Sequence, residues 1–202
     1  IYNMSVNING NDLVTLQTYK DLEGLKSNND DTRLGAIISS VSQLVKTYCA
    51  NSLVDYVTSD KVETINMEFA SAKVQTTESP IITVISVQEK KAGADSYNTL
   101  VVDTDYHVDT ETDTIVRLIS GREKFWEVGY GTVKLTYSAG YSSLPADLKL
   151  AVCDLVTYYF KSEHKERRTI QGATQQNPAA GGKNSISFPD HIKRVLDFYK
   201  QY

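Results

Sequence analysis

Apolar residues recur every three or four positions in one early stretch: Leu34, Ile37, Ile38, Val41, Leu44, Val45 and Tyr48. That spacing predicts a helix with one apolar stripe, opened by Asp30 or Asp31 as N-cap and ended near Asn51. Ser39, Ser40, Gln43 and Lys46 occupy the opposite face. Ahead of it, residues 1–14 read as an extended polar arm, with Val6-Asn7-Ile8-Asn9 hinting at a short strand. Residues 19–22 read as a short helix that stops by Ser27-Asn28-Asn29.

From Leu53 to about Tyr141 the period falls to two, the mark of half-buried strands. Candidate strands are 53–58, 62–69, 73–76, 81–87, 99–102, 114–118 and 132–138. Turn residues punctuate them: Ser59-Asp60, Ser79-Pro80, Ala92-Gly93-Ala94-Asp95, Ser120-Gly121 and Gly129-Tyr130-Gly131. The helical period then returns at 145–168, with Leu148, Val152, Leu155, Val156 and Tyr159 as the stripe. Ser143 can cap this helix, Pro145 suits its first turn, and Asp147 faces its positive end. Residues 169–187 are polar, rich in Gly and without period, which predicts a flexible linker. A last helix opens at Ser187 and carries Ile192, Val195, Leu196 and Tyr199 on one side. At about three turns it is marginal alone in water and must dock, on this chain or on a partner.

The predicted class is therefore α+β, a mainly α bundle with an inserted antiparallel β-sandwich or barrel subdomain. Its parts are an N-terminal arm with helices (1–52), the β-subdomain (53–141) and a core helix (142–168). The linker (169–187) and a C-terminal docking helix (188–202) follow. Pairing the two long helices buries both stripes. The inter-helix core is then Leu34, Ile37, Ile38, Val41, Leu44, Val45, Leu148, Val152, Leu155, Val156 and Tyr159.

Composition sharpens this only at a few points. Across 202 residues, 41% hydrophobic and 23% charged, no run approaches the roughly 20 apolar residues of a spanning helix. A net charge of −4 gives no global field for holding nucleic acid by its phosphates. Thirteen tyrosines against five phenylalanines suit half-wet interfaces, and equally an ordinary β-rich surface. Cys49 and Cys153 fall on helix stripes, where buried free thiols are expected.

Candidate chemistry is sparse. His107, His164 and His191 stand in three unrelated contexts, with no second ligand three or four residues away on a helix face. Asp103, Asp105, Asp109, Glu111 and Asp113 nearly alternate with other residues and could offer hard oxygens to Ca²⁺. The same alternation describes a solvated hairpin, and the run lacks the loop glycine and terminal Glu of an EF-hand; no metal site is assigned. Gly129-Tyr130-Gly131 precedes a strand rather than a helix, so it is no phosphate cradle. Lys161, Glu163, Lys165, Glu166, Arg167 and Arg168 mix signs at a helix end, a solvated face or an ion-pair interface. Neither a catalytic motif nor a cofactor motif is present, and the chain is read as no enzyme.

Five segments, in order, resemble the head–tail connector (adaptor) family of long-tailed bacteriophages. They are Tyr19-Lys-Asp-Leu-Glu-Gly-Leu25, the helix from Asp30-Asp31 to Tyr48-Cys-Ala-Asn51, and Ser79-Pro80-Ile81-Ile82-Thr83-Val84-Ile85-Ser86-Val87. The fourth is the stretch 133–155 around Ala139-Gly140-Tyr141, and the fifth runs from Phe188-Pro189 to Tyr199. The long acidic hairpin and the Gly-rich linker exceed a compact member of that family. The resemblance implies a structural protein of the virion neck, present in the host cytoplasm during assembly, with no cofactor and no membrane. Copies would form a ring, commonly of twelve, under the portal protein and lead to a stopper or tail protein. Double-stranded DNA would pass without sequence recognition. Phe188, Ile192, Val195, Leu196 and Tyr199 would then bind the portal or a neighbour, with helices packing between subunits. A β-sandwich module that binds a receptor or glycan is the alternative.

Overall fold

The computed structural model describes residues 11–162, 167–170, 173–176 and 188–201. The chain divides into two units: Ile1–Asn51 with Ser143–Tyr202, and Ser52–Ser142.

The first unit is mostly helical, with one two-stranded hairpin. Helix α1 (Leu16–Glu23) opens where the Thr15 hydroxyl accepts from the Thr18 N–H and closes at Gly24, whose φ of 67° makes a left-handed cap. Helix α2 (Asp31–Cys49) ends at Ala50, with φ 52° and its N–H bonded back to Lys46 and Thr47. Asp31 lies in the first turn of α2 and accepts from the Lys20 ammonium at 2.9 Å. Helix α3 (Ala146–Phe160) and helix α4 (Asp190–Asp197) both start just after a proline. Leu34, Ile38, Val41, Val45 and Cys49 of α2 are buried in this unit, as are Leu148, Val152, Leu155 and Val156 of α3. Ile192 and Leu196 of α4 join them.

Two expectations for α3 need correction. Ser143 does not cap it; the residue at the N-cap is Pro145. The helix also stops at Phe160 instead of 168, because Ser162 turns left-handed at φ 58°. Arg167 and Arg168 therefore sit on strand β9 (Arg167–Ile170), paired with strand β10 (Ala173–Gln176), inside the stretch read as helix end and linker. The rest of that linker, like the N-terminal arm before Asn11, lies outside the described residues.

The second unit carries eight strands: β1 (Lys61–Met67), β2 (Lys73–Gln75), β3 (Ile81–Glu89), β4 (Asn98–Thr99), β5 (Tyr106–Asp109), β6 (Thr114–Ile119), β7 (Arg122–Glu123) and β8 (Gly129–Ala139). One antiparallel sheet has the order β1-β8-β3-β4 and the other β2-β6-β5, with β7 paired to β6. Val74, Tyr106 and Ile115 from the second sheet share a core with Met67, Val87, Val133, Leu135 and Tyr137 from the first. Alternation along β8 explains this: Val133, Leu135 and Tyr137 are fully buried, while Lys134, Thr136 and Ser138 are not. Residues 53–58, read as a strand, form turns, since Leu53 is left-handed at φ 66°. Gly129 and Gly131, read as a turn, instead open β8, where the pairing with β1 slips between Ile65 and Met67.

Strands are thus about as common as helices, and the fold is mixed α+β. The description as mainly an α bundle is not met, because the β unit brings two sheets and a core of its own.

Candidate functional site

Four of the five carboxylates of the 103–113 run are engaged by the chain itself, three within the hairpin and Asp113 with strand β3. Asp105 accepts from the Val101 N–H at 3.0 Å. Asp109 accepts from the Glu111 N–H at 3.0 Å and from the Thr112 hydroxyl at 2.8 Å. The Thr112 hydroxyl is the main reason its acid strength is raised, holding the pKa below the usual aspartate value. Asp113 accepts from the Ile81 N–H at 2.7 Å, and Asp103 lies 3.1 Å from His107 Nδ1. These are fasteners of a solvated hairpin. Among the described residues no three His, Cys, Asp or Glu side chains come together in reach of one ion. His107 and His191 lie in different units, and His164 is outside the described residues.

Cys49 and Cys153 are free and buried. Burial, reinforced by Asp197 near Cys49 and by Asp154 near Cys153, pushes both thiols up to about 11, so neither is poised as a nucleophile.

The five residues expected to meet a portal or neighbour are placed on their own chain. Phe188, Ile192 and Leu196 are buried, while Val195 and Tyr199 are half-buried. Phe188 sets its ring edge-on to Tyr48, centroids 5.0 Å apart. Tyr48 donates to Asp197, and Tyr199 donates to Asp147 at 2.7 Å. The Gln201 N–H reaches the Cys49 carbonyl at 2.9 Å. Of the mixed-charge segment, Lys161 is exposed, Arg167 and Arg168 are on β9, and Glu163, Lys165 and Glu166 lie outside the described residues.

Two surfaces were not foreseen. Ile37, Leu44 and Tyr159, assigned to the inter-helix core, are only half-buried. With Arg33, Ala36, Ser40 and Val41 they line an apolar groove of about 400 Å³ on the helical unit. The seven-residue stripe of α2 covers a wider arc than its helical neighbours fill, and that width was the available signal. On the β unit, Met67 pairs with Gly129, and the Trp126 N–H donates to the Ser71 carbonyl at 2.9 Å. The two segments so joined expose Phe69 (73%), Phe125 (61%) and Tyr130 (84%).

The junction Ala139-Gly140-Tyr141 owes its glycine to a close backbone approach. Gly140 has φ 110°, and a Cβ there would stand 2.5 Å from the Leu53 carbonyl oxygen. That oxygen accepts from the Tyr141 N–H at 2.7 Å, and the Gly140 N–H donates to the Pro80 carbonyl at 2.9 Å.

The fold is a helical unit and a two-sheet β unit of mixed α+β class, and among the described residues no catalytic constellation is assembled. The chain belongs to the head completion protein family, whose profile matches residues 12–202. This bears out the resemblance to phage head–tail connectors and places the chain among structural proteins of the virion. The head completion protein of Escherichia phage T5 is 33% identical over 73 residues, a stretch that covers 36% of this chain and 40% of that protein. Two solved structures share the fold. One, from the neck of an empty gene transfer agent particle, has a TM-score of 0.59 at 14% identity, covering 94% of this chain and 90% of that one. The other, from a native particle's neck computed with C12 symmetry, has a TM-score of 0.54 at 14% identity, covering 95% and 94%.

Proposed function

We propose that this chain is a head–tail connector: copies form a ring under the portal, extend the DNA channel and join the capsid to the tail. The match to the head completion family over residues 12–202 carries this reading. The shared fold with neck proteins of particles treated as sixfold or twelvefold symmetric supports a ring, and twelve copies is the number adopted here. Portal protein lies on one side and a stopper or tail protein on the other. The chain performs no reaction and takes no cofactor. Its net charge of −4 suits a wall past which double-stranded DNA slides, because it offers no counterion release to hold phosphates.

The C-terminal segment 188–202 is the portal-side element in this reading. Its apolar side lies on the chain's own helices, while Phe198 stays 85% exposed as the residue that meets the portal. Deleting the segment would strip the core of Ile192 and Leu196, so Phe198→Ala is the cleaner variant. Native mass spectrometry of the chain with its cognate portal tests the proposal. A ring of defined copy number is expected on the portal, weakened by Phe198→Ala. A chain that ignores the portal would overturn the connector reading, and glycan-array binding by that chain would favour a receptor-binding module.

A further inference from the structure

We propose that the groove on α2 receives a neighbouring copy of this chain, and that the inserted part is the end of α1 and its following turn, Leu22 and Leu25. The inference rests on the ring reading above and names the two surfaces such a ring would use. A ring of identical copies closes through two different patches that complement each other.

The faces of α2 place those patches apart. Leu13 N–H donates to the Ser42 hydroxyl at 3.0 Å, the Ser39 hydroxyl donates to Asp12 at 2.8 Å, and the Lys46 ammonium donates to the Asn11 carbonyl at 2.6 Å. The segment leading into α1 therefore runs along the Ser39, Ser42 and Lys46 flank. Lys20 of α1 bonds Asp31 at the foot of α2. At about 100° per residue, Ala36, Ile37, Ser40 and Leu44 turn to the opposite flank of the same helix. One copy thus offers α1 on one flank and an empty apolar groove on the other, the arrangement a head-to-tail contact requires.

The chemistry of the halves also agrees. The groove is walled by Ala36, Ile37, Val41, Leu44 and Tyr159, and it needs apolar side chains to fill it. Leu22 is 51% exposed and Leu25 40%, close together at a helix end closed by Gly24. Arg33 borders the groove; it donates one N–H to the Phe160 carbonyl at 3.0 Å, and a guanidinium carries five. Asp21 and Glu23, both exposed, flank Leu22; of the two nearby lysines Lys20 is buried against Asp31 and only Lys26 is exposed, so the exposed charge of the inserted end is net negative, opposite to Arg33.

The test uses the full chain carrying Leu22→Cys and Ser40→Cys together, assembled with its cognate portal and treated with a short bis-maleimide. Cys49 and Cys153 are buried, and the wild-type chain controls for them. The expected result is a ladder of cross-linked oligomers from the double variant, with 22–40 links identified by mass spectrometry. Mixing the two single variants should give dimers, and neither alone should cross-link. Ser40→Trp, which fills the groove from an exposed position, should lower ring assembly about tenfold or more. A ring seen on the portal without 22–40 links, or one indifferent to Ser40→Trp, overturns this interface and leaves the connector reading intact. A chain that stays monomeric beside the portal overturns both.

Discussion

Replacing Gly140 by alanine should cost the β unit about twice what the same change costs at Gly121. Both glycines have positive φ, 110° and 72°, a region where an L side chain costs about 1–2 kcal/mol. They differ in what surrounds them. A Cβ at Gly121 would meet nothing within 4 Å, so strain is the whole penalty. A Cβ at Gly140 would lie 2.5 Å from the Leu53 oxygen, 3.0 Å from its carbonyl carbon and 3.3 Å from Val57 Cγ2. Backbone must move to admit it, and the oxygen that moves is the acceptor for the Tyr141 N–H. Disturbing that bond adds about 1–3 kcal/mol. The expected loss is therefore about 2–5 kcal/mol at Gly140 against about 1–2 at Gly121. For a chain of this length that is a fall in Tm of about 10 °C against about 4 °C. Urea titration followed by circular dichroism, with calorimetry as a second probe, measures both. Equal losses, within about 0.5 kcal/mol, would show that the close approach carries no energetic weight and would refute the reasoning.

Three further outcomes can be checked. The Arg117 guanidinium donates twice to Glu89 at 3.0 and 2.9 Å, and both side chains are nearly fully buried. Arg117→Met should cost about 3–5 kcal/mol by stranding the carboxylate, while Arg117→Met with Glu89→Met should recover most of it in chemical denaturation. The two thiols, pushed up to about 11 chiefly by burial, should resist iodoacetamide at neutral pH and react fully in guanidinium. Being raised when folded, they contribute stability that is whole below their ordinary value of 9.0 and is lost as pH climbs toward 11. Asp147 has its pKa lowered, first by the Tyr199 hydroxyl, so its contribution holds above the ordinary value of 3.8 and fades as pH falls below it. Tyr199→Phe should remove that acid sensitivity from the hydrogen-exchange protection of α4.

The long helix α2 and most core strands were legible because one-sided burial writes a period into the chain. Leu34, Ile38 and Val41 on α2, and Val133, Leu135 and Tyr137 on β8, announce themselves in this way. What the period could not reveal was local backbone geometry. Leu53 and Ser162 take left-handed conformations that no propensity favours, and these turned an expected strand into turns and ended α3 early. Tyr106 and Val108 of β5 were hidden because the strand is only four residues long and lies among acids that looked like a ligand set. The surfaces were least legible. Ile37 and Leu44 carry the same apolar signal as their buried neighbours, and only the packing of α3 and α4 decides which of them stay open. The same limit applies to Phe188, Ile192 and Leu196: their pattern requires a dock without saying whose.

Strand β8 is hydrogen-bonded to β1 on one side and β3 on the other, and it is the last strand of its unit in the chain. During synthesis β1 has no sheet partner and β3 has only the two-residue β4 until residues 129–139 leave the ribosome, and each carries a bare edge until then. The helical unit waits longer still, since α1 and α2 come from one end of the chain and α4 from the other. Maturation from the N-terminus onward is closed to this chain. A product cut short within the last helix keeps the strands of the β unit but has an open helical core, and one cut before β8 has neither unit whole.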